Sequence, residues 1–333
     1  MASPIGVCCE AEGSGEGKEI GKRKVGKYLA IQIWSPNTAN AILSNVSILN
    51  DDFVVPGMHA SLAANMSSSA PGASSFETLA VTVPKPFVYH VELNRPKNLN
   101  AFNKTMWIEL GKCFEELNDN ADCRVVVLSA SGKHFTAGID LKDMMMMAQE
   151  LGEIEEVARR AKYFYKMIKL YQDSLSSLEN CCKPVVAAVH SACVGAGVDL
   201  ITSADIRYCT KDAWFQVKEV EIGMAADVGT LQRLPKVIGN MSLVRELCYT
   251  ARKVQSDEAY SCGLVSKVFQ DKESLLKGAL ELAEDISQKS PVAVQVTKKT
   301  LVYSLDHTNQ EGLDYINVRL IANEQGKECK ENI

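Results

Sequence analysis

The stretch that most restricts what this chain can fold into runs from Pro184 to Pro235. It opens on an unbroken apolar, β-branched run, Val185 to Val189, which is the pattern of a strand buried on both faces. A turn of small residues, Gly195-Ala196-Gly197, follows, and beyond it the apolar spacing predicts a helix. A second short strand is expected over residues 205–208, and then a segment carrying Glu219 and Asp227. Small residues at a strand-to-helix turn let the backbone approach a ligand closely. The first amides of the helix have no partner within it and face any negative charge placed there.

Three acids fall in or just after this unit: Asp199 in the first turn of the predicted helix, then Glu219 and Asp227. Amide donors beside several carboxyls suit a reaction in which an enolate forms on a carbonyl substrate while carboxyls move protons. A plainer reading makes Asp199 a helix cap and leaves the other two acids in solvent. Residue types alone do not choose between these readings.

A chain of 333 residues holds one large domain or two small ones, with ample material for a core. Its net charge of −5 gives no electrostatic case for nucleic-acid binding. No stretch approaches the roughly 18 apolar residues that span a bilayer. The 11 cysteines are scattered, without paired spacing or histidines at ligand distance, so they read as free thiols of a reducing compartment and no metal site is expected.

Residues 1–74 differ in composition from the rest and read as a disordered, variable leader. Residues 1–27 are rich in Gly, Glu and Lys, and residues 58–75 in Ser and Ala. A mitochondrial presequence is rich in Arg and poor in acids, whereas Glu10, Glu12, Glu16 and Glu19 here mix with Lys18, Lys22, Arg23, Lys24 and Lys27. A short strand over residues 28–34 is a weak candidate.

From Leu79 the pattern becomes orderly. Alternation through Phe87, Tyr89, Val91 and Leu93 predicts one strand over residues 82–93. Asn103 is placed to cap a helix over residues 104–118, and residues 125–129 read as a buried strand. Residues 143–173 have helical composition and include four consecutive methionines, Met144 to Met147. Those methionines fit an ordinary core, or a pliant wall for an apolar ligand. Further helices are expected over residues 240–250, 256–261 (with Ser256 as cap), 272–288, and onward from Pro291. A short strand is expected over residues 266–269. Strands alternating with helices argue for a mostly parallel α/β core.

Several motifs in order carry a resemblance to a known family. PVVAAVHSACVGAGVDL from Pro184, HFTAGIDL from His134 and LNRPKNLNAFN from Leu93 resemble the signatures of the crotonase (enoyl-CoA hydratase/isomerase) superfamily. The run from Trp214 to Lys236 is similar to its dienoyl-CoA isomerase branch, and the likeness covers roughly residues 75–315. The resemblance implies a crotonase (ClpP-like) spiral of ββα turns over residues 75–270 and a helical C-terminal region over residues 271–333 that mediates trimer or hexamer packing. That region here looks shortened, because Tyr315 is followed by a short polar end without a Ser-Lys-Leu peroxisomal signal. Location in the mitochondrial matrix, or the peroxisome, is likewise implied.

The implied activity converts a 3-trans,5-cis-dienoyl-CoA to its 2-trans,4-trans isomer in β-oxidation of unsaturated fatty acids. The substrate itself carries coenzyme A and no separate cofactor is required. By resemblance, backbone amides of Ala137 and Ala196 hold the enolate oxygen, with Gly138, Ile139, Asp140 and Leu141 completing the first loop. Glu219 and Asp227 move the protons, and Asp199 assists them. The family usually has Gly where Ala196 stands, and Gly-Gly where Ser191-Ala192 follows His190. His134 and His190 read as structural, Asp140 as a brace of its loop, and Asp205 as a turn residue. Hydratases commonly carry Gly at the position of Asp227, so that residue favours the isomerase over the alternatives, a hydratase or another crotonase isomerase. A further alternative is a catalytically impaired variant or assembly subunit.

Overall fold

The computed structural model describes residues 75–319; the leader, the candidate strand at residues 28–34 and the end of the chain after residue 319 lie outside the described residues. A sheet of 6 strands forms the centre. In spatial order these are β1 (Leu79–Lys85), β2 (Val88–Leu93), β3 (Val125–Ala130), β4 (Val185–Val189), β6 (Ile206–Thr210) and β9 (Lys267–Phe269). Only β1 and β2 are antiparallel; the other neighbours pair in parallel. A second sheet of 3 strands holds β5 (Ala192–Val194), β7 (Trp214–Gln216) and β8 (Val254–Gln255). The chain passes from β4 to β5 and from β6 to β7, crossing between sheets at each step, which winds it into a spiral.

Both faces of the large sheet are covered, as the continuous apolar strands require. Val88, Val125, Val127, Val186 and Ala188 pack on Leu275, Ala279 and Ala283 of α8 (Lys272–Ser287). The opposite face packs against α1 (Lys104–Asp119) and α3 (Val157–Asn180) through Met106, Leu110, Phe114, Leu175 and Leu178. Asn103 caps α1 as expected, its side chain accepting the Met106 amide at 3.0 Å. Trp107 of α1 stacks on Tyr171 of α3 with ring centroids 4.7 Å apart, and this contact fixes how the two helices meet.

Three expectations are corrected by local geometry. The single strand over residues 82–93 is a hairpin: the chain reverses at Pro86-Phe87, where Phe87 has φ 65°, and alternation continues across the turn. The helix over residues 143–173 is two helices, α2 (Leu141–Glu153) and α3, separated at residues 154–156. The remaining helices are α4 (Ala196–Thr202), α5 (Thr230–Ile238), α6 (Met241–Thr250), α7 (Ser256–Ser261) and α9 (Pro291–Ser304), and residues 309–319 are also helical. Ser256 is not a cap: Gln255 occupies the cap position, and the Ser256 hydroxyl donates to the Lys211 carbonyl at 2.7 Å.

The middle of α9 is tied to the core by a buried lysine. Lys298 Nζ donates to the carbonyls of Leu178 and Lys183, both at 2.9 Å, and pairs with Asp205 Oδ2 at 2.8 Å. Asp205 also accepts the Val185 amide at 2.7 Å, so one carboxyl anchors the beginning of β4 and the lysine together. Every donor of that buried cation is directed at an oxygen, which offsets its desolvation.

Candidate active site

Two loops meet where the sheets diverge. The first, residues 134–140, leaves β3; the second, residues 190–197, leaves β4. Thr136 bridges Cys193, with its amide donating to the Ala192 carbonyl at 3.0 Å and its carbonyl accepting from Val194 at 3.2 Å. His134 and His190 brace this contact, as the sequence implied. His134 Nδ1 lies 2.9 Å from Ser191 Oγ, and His190 Nε2 lies 3.0 Å from the Gly132 carbonyl. Burial holds the His190 pKa down at about 4, so the ring is neutral and serves as a brace.

At the meeting point Gly138 has φ +93°, and a Cβ there would sit 3.0 Å from the Val194 carbonyl oxygen. Glycine is needed on both grounds, conformation and closeness. Gly138 and Gly195 face each other backbone to backbone, each Cα within 4 Å of where the other's Cβ would be.

The free amides at this junction differ in part from those expected. The Ala137 N–H is not available to a ligand, because it donates to the Leu99 carbonyl at 3.0 Å. Gly138 is also engaged, its amide donating to Thr136 Oγ1 at 3.1 Å. The Ile139 amide has no partner among the described residues. Ile139 forms a parallel bridge with Phe102, in which the Gly138 carbonyl and the Asp140 amide face Phe102 at 2.8 and 3.0 Å. Alternation along an extended chain then turns the Ile139 N–H to the other side. Ala196 opens α4, and its amide precedes the first intrahelical bond, made by Val198 to Gly195 at 2.7 Å. Asp140 caps α2 by accepting the Lys142 amide at 3.1 Å and pairs with Arg95 at 3.1 Å, while Leu141 is the first residue of that helix.

The acids converge on the same junction. Glu219 opens a short 3-10 helix, Glu219–Ile222, that ends on Gly223 with φ 75°. Its Oε1 lies 3.2 Å from the position of a Cβ on Gly195, so the carboxyl rests against the second loop. Asp199 is completely buried inside α4, and its Oδ1 accepts the Thr230 amide at 2.5 Å. The second oxygens, Asp199 Oδ2 and Glu219 Oε2, are buried without a partner among the described residues. Asp227 follows in the loop before α5, half-buried, and its carbonyl accepts Gln172 Nε2 at 2.7 Å.

Burial raises all three carboxyls, and repulsion from neighbouring acids adds to it for Glu219 and Asp199. Desolvation and the Asp199 charge push Glu219 up to about 8. Desolvation raises Asp199 to about 6, against the opposing pull of its Thr230 bond. Asp227 is raised by desolvation. Carboxyls raised in this way suit general acid–base work on carbon.

An apolar cluster adjoins the acids. Met144 of α2 packs on Ile222 of the Glu219 helix, with Ile139, Leu141, Met147 and Met224 around them. The four-methionine run therefore divides, since Met145 and Met146 are 53% and 62% exposed. Gln172, Thr230 and Arg233 also belong to this region. For Gln172 the sequence carries a signal only as a polar stripe on α3, Gln172, Ser176 and Glu179, spaced to share one face.

This architecture, with paired loop amides over a buried acid set, defines a class. A profile of the enoyl-CoA hydratase/isomerase family matches residues 85–332, and the chain belongs to that family. Within it, a mitochondrial Delta(3,5)-Delta(2,4)-dienoyl-CoA isomerase of Homo sapiens is 54% identical, covering 78% of this chain and 82% of the relative. A peroxisomal Delta(3,5)-Delta(2,4)-dienoyl-CoA isomerase of Arabidopsis thaliana is 44% identical over 69% of this chain and 82% of its own length. A crystal structure of an enoyl-CoA hydratase from Mycobacterium smegmatis, 27% identical, matches with a TM-score of 0.65, covering 74% of this chain and 90% of that one. The fold is thus the crotonase fold anticipated from the motifs.

Proposed function

We propose that this protein isomerises 3-trans,5-cis-dienoyl-CoA to 2-trans,4-trans-dienoyl-CoA in the β-oxidation of unsaturated fatty acids. The observation that carries the reading is the seating of the Glu219 carboxyl against the Gly195 turn, beside the amides of Ile139 and Ala196, with Asp227 in the segment that Asp199 holds through the Thr230 amide. The likeness to named dienoyl-CoA isomerases supports the same conclusion.

The thioester oxygen accepts the Ile139 and Ala196 amides, so charge developing on it meets fixed dipoles in a water-poor site. A carboxylate takes a proton from C2. The electrons of that bond form C2=C3, the C3=C4 pair moves to C4=C5, and the C5=C6 pair takes a proton at C6 from a second carboxyl. Glu219 rests against the loop that ends in Ala196, and we assign it to C2; Asp227 serves C6. No electrons are gained or lost overall, so no redox cofactor enters the reaction. The apolar cluster of Met144, Met147, Ile222 and Met224 forms one wall for the acyl chain, where thioether side chains adapt to its shape.

A hydratase is the second reading, and Asp227 disfavours it: hydration needs two acids at neighbouring carbons, not a third farther on. Incubation with a synthetic 3,5-dienoyl-CoA decides the matter. Growth of the ultraviolet absorbance of the 2,4-conjugated thioester is the expected result, and water addition to a 2-enoyl-CoA in its place would overturn it.

The mitochondrial relatives place the protein in the mitochondrion, with a peroxisomal counterpart in plants. Among the described residues no helix is long and apolar enough to cross a membrane. Leu301, Leu305, Leu313 and Val318, each at least 50% exposed near the end of the described chain, support assembly as a homotrimer or hexamer. Light scattering giving a monomer mass would remove that part of the reading.

A further inference from the structure

The segment that carries Asp227 is gripped at two points by residues from different helices. At its start, Gln172 Nε2 of α3 donates to the Asp227 carbonyl at 2.7 Å. Three residues on, the Thr230 amide donates to Asp199 Oδ1 of α4 at 2.5 Å. Thr230 is the first residue of α5, whose own cap position is Gly229 with φ 142° and offers no side chain. Asp199 therefore does for α5, from 31 positions away, what a local cap residue ordinarily does. Beneath the segment, Arg233 lies over Gly229, where a Cβ would fall 2.0 Å from its Nη1. The same guanidinium donates to Ser176 Oγ at 2.9 Å and to Glu179 Oε2 at 3.0 Å. Gln172, Ser176 and Glu179 are one face of α3, and all three engage residues 227–233.

We infer that Asp199 and Gln172 form a two-point clamp that positions Asp227, and that Asp199 acts in this enzyme as a hydrogen-bond acceptor rather than as a third carrier of substrate protons. The inference rests on the reading above for what Asp227 does, and it explains why three acids gather where the reaction uses two. A misplacement of Asp227 by about 1 Å is enough to cost on the order of 100-fold in rate. The clamp is what prevents it.

The test uses the full chain and three variants: D199A, which removes the acceptor; D199N, whose amide oxygen still accepts the Thr230 N–H; and Q172L, which opens the other point. On the dienoyl-CoA substrate, D199A is expected to lose about 100-fold in kcat with KM within about twofold. D199N is expected to recover to within about tenfold of the wild type, and Q172L to lose about tenfold in kcat. Amide exchange without substrate reads the clamp independently of turnover: residues 227–231 exchange about tenfold faster in D199A and Q172L but stay protected in D199N. Kinetic loss in D199N as deep as in D199A would assign Asp199 a proton-carrying role and overturn the inference. Unchanged exchange in D199A and Q172L would overturn the clamp even if the chain turned over no dienoyl thioester, an outcome that would count separately against the proposed function.

Discussion

The Glu219 carboxyl rests against the Gly195 backbone, its Oε1 3.2 Å from the point a Cβ would occupy. Gly195 in turn faces Gly138 of the other loop, so one carboxyl, one turn and one free amide are assembled through two residues that lack side chains. That closeness is what lets a proton acceptor and an oxygen-binding amide reach the same thioester.

Asp227→Asn removes one proton carrier while keeping shape and hydrogen-bonding capacity. Turnover of a 3,5-dienoyl-CoA should fall by roughly 10²–10⁴-fold, the usual contribution of a positioned acid or base. Calorimetric titration with a non-reacting acyl-CoA should give an affinity within about twofold of the parent. Wild-type turnover in this variant would take Asp227 out of the mechanism.

The rate should depend on pH in a bell. One carboxyl must be ionised to accept a proton and another protonated to donate one, so the set works with a single proton shared among its members. In the reacting form the one proton of the set sits on Asp227 and Glu219 is ionised, so with the set's last proton leaving at about 8, kcat/KM should decline above about pH 8 for want of a donor at C6. It should decline again at acid pH as the accepting carboxyl fills. A profile flat across pH 5 to about 9 would show that carboxyls do not carry the chemistry.

Glu219→Gln should change stability in a pH-dependent way. The folded protein holds the Glu219 proton up to about 8, whereas the unfolded chain releases it near 4.5. Between those values the folded state binds more protons, so rising pH destabilises it, and the cost is full above the folded value and absent below the unfolded one. At pH 8 the glutamine variant should melt higher than the parent by about 2–4 °C for each kcal/mol recovered. Thermal melts at pH 4 should show no such gain.

Gly138→Ala should harm both stability and rate. The new methyl would meet the Val194 oxygen at 3.0 Å in a backbone with φ +93°. Strain of about 1–2 kcal/mol is expected from the conformation alone. The loops must part to relieve the contact, which carries the Ile139 amide away from Ala196. A kcat loss of about tenfold or more, with a lowered melting temperature, is the outcome that stopped-flow and calorimetry should record.

Much of the fold is local and was legible. The run Val185–Val189, the Asn103 cap and Pro291 at the first position of α9 all stand where periodicity and capping rules put them. The hairpin at Pro86-Phe87 was not legible, because alternation of period two passes through a two-residue reversal unchanged. Nor was the break between α2 and α3 at residues 154–156, where no Pro stands and Gly152 in the last turn of α2 is a weak mark, since a single Gly is tolerated inside a helical pattern.

The sequence by itself determined the family, because its motifs, two turns of small residues and a strand buried on both faces among them, are each written in neighbouring residues. Tertiary structure decided the assignments. Ala137 and Ile139 are two positions apart, yet Leu99 consumes the amide of the first, while pairing with Phe102 turns that of the second outward. Asp199 does act as a cap, but for a helix that begins at Thr230. A hydrogen bond belongs to whichever partner folding brings near, and partners separated by some 31 positions leave no mark in the residues between them.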